Sequence, residues 1–147
     1  MKIPSNLKSF SQPTLIVVTD STQAKFFLAD GRSLEEKEVM ENRHEASSDH
    51  RDKNQTPDGH IFTEETENLK DTTREELYGM LSKKLMQELK QGIFEKLAFT
   101  VPADLENELK ESLHLDLLKR ANIFVPKLLT NDDPLDIVAH IQEQEKL

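Results

Sequence analysis

Residues Leu15 to Val18 form an unbroken apolar run between Thr14 and Thr19. Three of these four side chains are branched at Cβ, which favours extended backbone. Because no polar residue alternates with the apolar ones, the run is typical of a strand that is buried on both faces. Pro13 precedes it and Asp20-Ser21 follows it, as expected at strand boundaries. The chain must therefore pack other elements around this strand.

Two further strands are predicted directly after it. The second covers Ala24 to Ala29 and ends at Asp30-Gly31, a strong hairpin turn signal. Ser33 to Val39 supplies the returning strand. The chain therefore opens with an antiparallel meander.

The segment from Glu41 to His60 has Ala46 as its only apolar side chain, and Pro57-Asp58-Gly59 predicts a turn within it. This pattern indicates a long polar loop at residues 41–60. Loops of this length without structure of their own are uncommon in compact domains and are usually functional or disordered.

A long amphipathic helix follows the loop. Thr72 to Glu76 contains overlapping capping boxes, and the helix ends near Gly92. Residues Thr63 to Lys70 could extend it at the start. Leucines recur at every fourth position on its apolar face, at Leu77, Leu81, Leu85 and Leu89.

Strands and helices then alternate to the end of the chain. The predicted elements are a buried strand over Lys96 to Val101, a helix opening at Pro102-Ala103-Asp104, a short helical segment at Leu115 to Leu118, an edge strand over Ile123 to Leu129, and a last helix from Asp133-Pro134. The order indicates one α/β domain with a mixed sheet, in which an antiparallel front meander joins a parallel back half and helices pack on it. We expect this domain to span residues 14–147, after a flexible N-terminal segment at residues 1–13.

The charge of the chain limits its partners. It has 28 acidic and 19 basic residues and a formal net charge of −9, which disfavours a broad nucleic-acid-binding surface. The N-terminus lacks the apolar stretch of a signal peptide, and the longest apolar run is too short to span a bilayer. We therefore expect a cytoplasmic protein without membrane contact.

Several local strings also carry a resemblance to a known family. They are Leu15-Ile16-Val17-Val18-Thr19-Asp20, Ala24-Lys25-Phe26-Phe27, Gly92-Ile93-Phe94-Glu95-Lys96-Leu97, Val101-Pro102, Lys127-Leu128-Leu129-Thr130, Pro134-Leu135 and Ala139-His140-Ile141. The chain resembles the bacterial host-attachment protein family, whose members are similar to the middle domain of archaeo-eukaryotic release factors and to stalled-ribosome rescue factors. The resemblance runs from Thr14 to Ile141. It implies the α/β fold of the release-factor middle domain, a fold class that is shared with ribonuclease H-like domains.

The resemblance also implies a position for a reactive loop. In release factors a Gly-Gly-Gln loop of this domain enters the peptidyl-transferase centre, and its counterpart here is the loop at residues 41–60. That loop contains Asn54-Gln55-Thr56 and no pair of glycines. Since paired glycines allow backbone conformations that other residues disfavour, Gln55 alone does not restore this chemistry.

A metal site is one hypothesis for the loop. His44, His50 and His60 lie there among acidic residues, and imidazole and carboxylate groups are suitable ligands for zinc or another divalent ion. Asp20, at the end of the first strand, could join them. The spacing matches no metal-binding motif, and strand-end aspartates are also common turn residues, so a solvated loop and a structural turn are the alternatives. With metal bound, the chain would be a metal-dependent hydrolase or nuclease.

No nucleophile elbow, cysteine or glycine-rich phosphate loop is present in the sequence. The main hypothesis is therefore a non-catalytic interaction module without a cofactor, linked to translation or stress, that contacts a protein partner or the ribosome. A ribosome-associated, release-factor-like protein lacking Gly-Gly-Gln is the other alternative. The loop residues expected to contact the partner are His50, Arg51, Lys53, Asn54 and Gln55. The basic residues of the first helix, Lys83, Lys84 and Lys90, are expected on a solvated face with i, i+4 ion pairs.

Overall fold

A computed structural model of the chain describes the backbone of residues 1–42 and 59–147 and the side chains of residues 1–42 and 72–147. The polar segment at 43–58 therefore lies outside the described residues. The strands are β1 Phe10–Thr19, β2 Gln23–Gly31, β3 Ser33–Glu41, β4 Lys96–Thr100 and β5 Ala121–Val125. The helices are α1 Gly59–Lys90, α2 Glu106–Ser112, α3 Leu115–Arg120 and α4 Pro134–Glu145, and a single 3₁₀ turn at Ala103–Leu105 precedes α2.

The five strands form one mixed sheet in the order β3-β2-β1-β4-β5. β1 pairs antiparallel with β2, so that Val17 lies opposite Phe26, and parallel with β4, so that Val17 also lies beside Phe99. β2 and β3 are antiparallel, whereas β4 and β5 are parallel. This topology confirms the predicted fold class, an antiparallel meander joined to a parallel half. It also confirms the buried first strand, since Leu15 to Val18 are at most 1% exposed.

Both faces of the sheet carry a hydrophobic core. On one face, α1, α2 and α3 pack against alternate strand residues, with Leu81, Leu85 and Leu109 completely buried there. On the other face, α4 packs through Ile137 and Val138. The alternation of the two cores along β1 follows from the two-residue period of a strand.

The leucines predicted to form the apolar face of α1 pack against the sheet, which confirms the amphipathic helix. Leu77, Leu81 and Leu85 are fully buried, and Leu89 packs at the margin of the same core. The helix begins at Gly59, well before the capping sequence at Thr72, so it includes the possible extension from Thr63 to Lys70. None of the helices in the described part of the chain combines the length and apolar character needed to cross a membrane.

The N-terminal segment differs from the sequence expectation of a flexible stretch at residues 1–13. Ile3 is 1% exposed in the core beside α4, and its backbone N–H donates to Arg32 O at 2.8 Å. The amino group of Met1 donates to Leu34 O at 3.0 Å. β1 also begins at Phe10 rather than Thr14. The packed domain therefore includes the first residues of the chain, because apolar side chains, Ile3, Leu7 and Phe10, pack on its core and backbone groups bond to the β2–β3 hairpin.

Two boundaries in the second half also differ. β5 ends at Val125 instead of reaching Leu129, because Pro126 has no N–H to continue the ladder and Lys127 N donates to Val125 O at 2.8 Å in a turn. The helix expected from Pro102 starts as a 3₁₀ turn before α2. By contrast, α4 begins as predicted, with Asp133 Oδ1 accepting from Leu135 N at 2.9 Å and Pro134 in the first turn.

Candidate functional site

The carboxyl ends of β1, β4 and β5 meet at one edge of the sheet, because these three strands are parallel. Ligands of open α/β sheets bind outside this edge, where the connections leave the strands in different directions. A cleft of about 450 Å³ lies there. It is lined by Asp20, Ser21, Thr22, Arg74, Pro102, Asp104, Leu105, Leu128, Thr130 and Asn131. We call it the carboxyl-edge cleft.

Asp20 closes the turn between β1 and β2 on one wall of the cleft. Its Oδ1 accepts from Thr22 N at 2.8 Å and from Gln23 N at 2.9 Å, and its Oδ2 accepts from Gln23 Nε2 at 3.2 Å. The side chain thus fixes an Asx-type turn, as the turn interpretation of Asp20 predicts. Most of its acceptor capacity is used within the turn.

Thr130 connects this turn to the segment after β5. Its carbonyl accepts from Lys25 Nζ, and its side chain contributes to lowering the pKa of Asp20. Burial alone would raise the pKa of Asp20, but the hydrogen bonds from Thr22 and Gln23, with a smaller effect of the Thr130 side chain, hold it below its usual value. The ionised form of Asp20 is therefore part of the folded structure.

The lowered pKa predicts an acid-dependent loss of stability. A carboxyl group whose pKa is lower in the folded than in the unfolded state stabilises the fold above its unfolded value, near 3.8, and loses this contribution as the pH falls towards the folded value. We expect the free energy of unfolding, measured by urea titration from pH 6 to pH 3, to fall less steeply in Asp20→Asn than in the native chain. Identical slopes for the two proteins would contradict this.

Arg74 of α1 also lines the cleft. Its Nε donates to Glu108 Oε2 at 2.7 Å, and the two side chains are only 18% and 32% exposed. This short, charge-assisted hydrogen bond joins α1 to α2 beside the cleft. Arg74 is therefore held in place before any ligand binds.

Tyr78 lies one helical turn after Arg74 and is completely buried. Within the described part of the chain, its hydroxyl has no hydrogen-bond partner. Burial raises the pKa of Tyr78 well above its usual value, and the charges of Glu108, Asp20 and Asp104 raise it further, against the effect of Arg74. The phenol is neutral at physiological pH and is influenced by the charges around the cleft.

The structure describes only some of the residues singled out from the sequence. The side chains of His44, His50, Arg51, Lys53, Asn54, Gln55 and His60 lie outside the described residues, so the proposed loop contacts and the proposed metal set stay predictions. Asp20 is the described member of that set, and it lies in the turn. In residues 1–42 and 72–147, no group of three or more histidine or acidic side chains could hold a metal ion.

The basic residues of α1 partly follow the expected pattern. Lys84 forms the i, i+4 pair with Glu88 at 3.4 Å, and a closer pair with Glu38 of β3 at 2.7 Å. The side-chain hydrogen bond to Glu38 raises the pKa of Lys84, with the Glu88 charge adding to it against the effect of burial. Lys84 thus ties α1 to the edge strand, a contact that helical spacing alone could not reveal.

Sequence reasoning did not identify the cleft itself. In the sequence, Tyr78 directly follows Leu77 of the leucine pattern, and Arg74 lies within the predicted capping sequence. The signal available was their four-residue spacing, which puts both side chains on one face of the helix. Asp104 and Thr130 join them only through the tertiary fold.

Comparisons with known proteins give a family and a fold. The chain matches the model of the family described as bacterial archaeo-eukaryotic release factor family 12 over residues 13–141. It is similar to the crystal structure of the archaeal translation termination factor aRF1, with a TM-score of 0.50 and 16% sequence identity. The match covers 91% of this chain and 37% of that protein, so the chain spans little more than a third of its length. At this identity the likeness shows the fold alone.

The comparison with curated proteins gave no match. The description of the matching family names release factors and not host attachment. The host-attachment name implied by the sequence resemblance therefore stays a prediction.

Proposed function

The chain belongs to bacterial archaeo-eukaryotic release factor family 12, and from this membership we propose that it is a non-catalytic interaction module of translation, which associates with the ribosome or a ribosome-bound protein. The observation that carries the proposal is the match of the family model to residues 13–141. The missing glycine pair beside Gln55 supports a binding role over peptidyl-tRNA hydrolysis.

The ends of the polar segment suggest how such a module presents its contact residues. Asn42 Nδ2, just after β3, donates to Thr73 O at 2.9 Å. Thr73 lies fourteen residues after Gly59, the first residue of α1. At a rise of 1.5 Å per residue, the start of the helix is about 20 Å along the axis from this contact.

The direction of α1 adds to this picture. The helix runs from the carboxyl edge of β1 towards the opposite edge, where Glu95 N donates to Pro13 O at 2.9 Å. The start of α1 therefore extends past the carboxyl edge, on the side where β3 also ends. We propose that residues 43–58, which join these two ends, contact the partner through His50, Arg51, Lys53, Asn54 and Gln55.

Co-sedimentation with ribosomes tests this function. We expect the full chain to pellet with ribosomes from its native cells at low salt and to be partly released at moderate salt, because exposed charges contribute to the contact. Replacing His50, Arg51, Lys53, Asn54 and Gln55 with serine should reduce the pelleted fraction about tenfold, as expected for the loss of a few directional contacts. Failure of the native chain to pellet at either salt would remove the proposal.

A matched control separates specific contacts from net charge. The double variant Lys119→Ser, Lys146→Ser removes two positive charges, the same number that the loop variant removes at Arg51 and Lys53. Lys119 and Lys146 are both exposed on the described surface. This variant should pellet like the native chain. Equal loss in both variants would show that the segment is not the contact element.

A further inference from the structure

We draw no further inference here: the strongest candidate, the cleft of about 200 Å³ at the edge of the sheet where β1, β4 and β5 begin, is lined by Lys8 and Lys96 but also by Glu145, all three exposed at the surface, and nothing in the structure shows what fills it.

Discussion

Replacing Leu81 with alanine is expected to lower the free energy of unfolding by about 2–5 kcal/mol, the range for truncating a fully buried leucine. Leu81 is 0% exposed and lies in the core between α1 and the sheet, with Leu77 and Leu85 one turn to either side. Its removal leaves a cavity that the rigid sheet cannot fill by moving. Urea unfolding followed by circular dichroism measures the loss.

Met80→Ala is the matched control for Leu81→Ala. Met80 precedes Leu81 on the same helix but is 40% exposed, so its truncation removes little buried surface and should cost less than about 0.5 kcal/mol. Similar losses in the two variants would mean that the described face of α1 is not the one that packs on the sheet.

Asp20→Ala is expected to destabilise the domain by about 1–3 kcal/mol, because it removes the acceptor of several hydrogen bonds and leaves Thr22 N and Gln23 N without it. Thermal unfolding of the two proteins measures this loss.

Asp30→Ala provides the comparison for Asp20→Ala. Asp30 is also at a strand end and is exposed at the β2–β3 hairpin, where its loss should cost less than about 0.5 kcal/mol. If both alanine variants were equally stable, the hydrogen bonds of Asp20 would contribute no net stability beyond those that water provides.

Much of the fold could be predicted from short-range patterns. The apolar run at Leu15 to Val18, the Asp30-Gly31 turn and the Asp133-Pro134 helix start each depend on neighbours in sequence, and the structure has all three. The burial of Ile3 could not be predicted in this way. The few apolar residues of this segment follow neither a helical nor a strand period, and the packing of Ile3 is decided by the distant hairpin at Arg32 and Leu34.

The candidate site could be predicted much less well. Asp20, Arg74, Asp104 and Thr130 belong to four separate connections, and only the parallel pairing of β1 with β4 and of β4 with β5 brings these connections to one edge. No spacing in the sequence indicates that these four residues lie close together. The contact residues predicted from the sequence, His50 to Gln55, instead lie in one polar segment, which its composition alone distinguishes from the rest of the chain.

The strand order has a consequence for how the chain folds. β1 pairs with its sequence neighbour β2 on one side, but its other partner, β4, arrives about 80 residues later, as the bond from Thr19 Oγ1 to Thr100 O illustrates. During synthesis the N-terminal hairpins emerge with the most hydrophobic strand open along one side until α1 and β4 follow. Non-local parallel pairing of this kind slows folding and exposes an aggregation-prone edge. We therefore expect truncation before Lys96 to give an insoluble chain, and refolding of the intact chain to be limited by the docking of β4 onto β1.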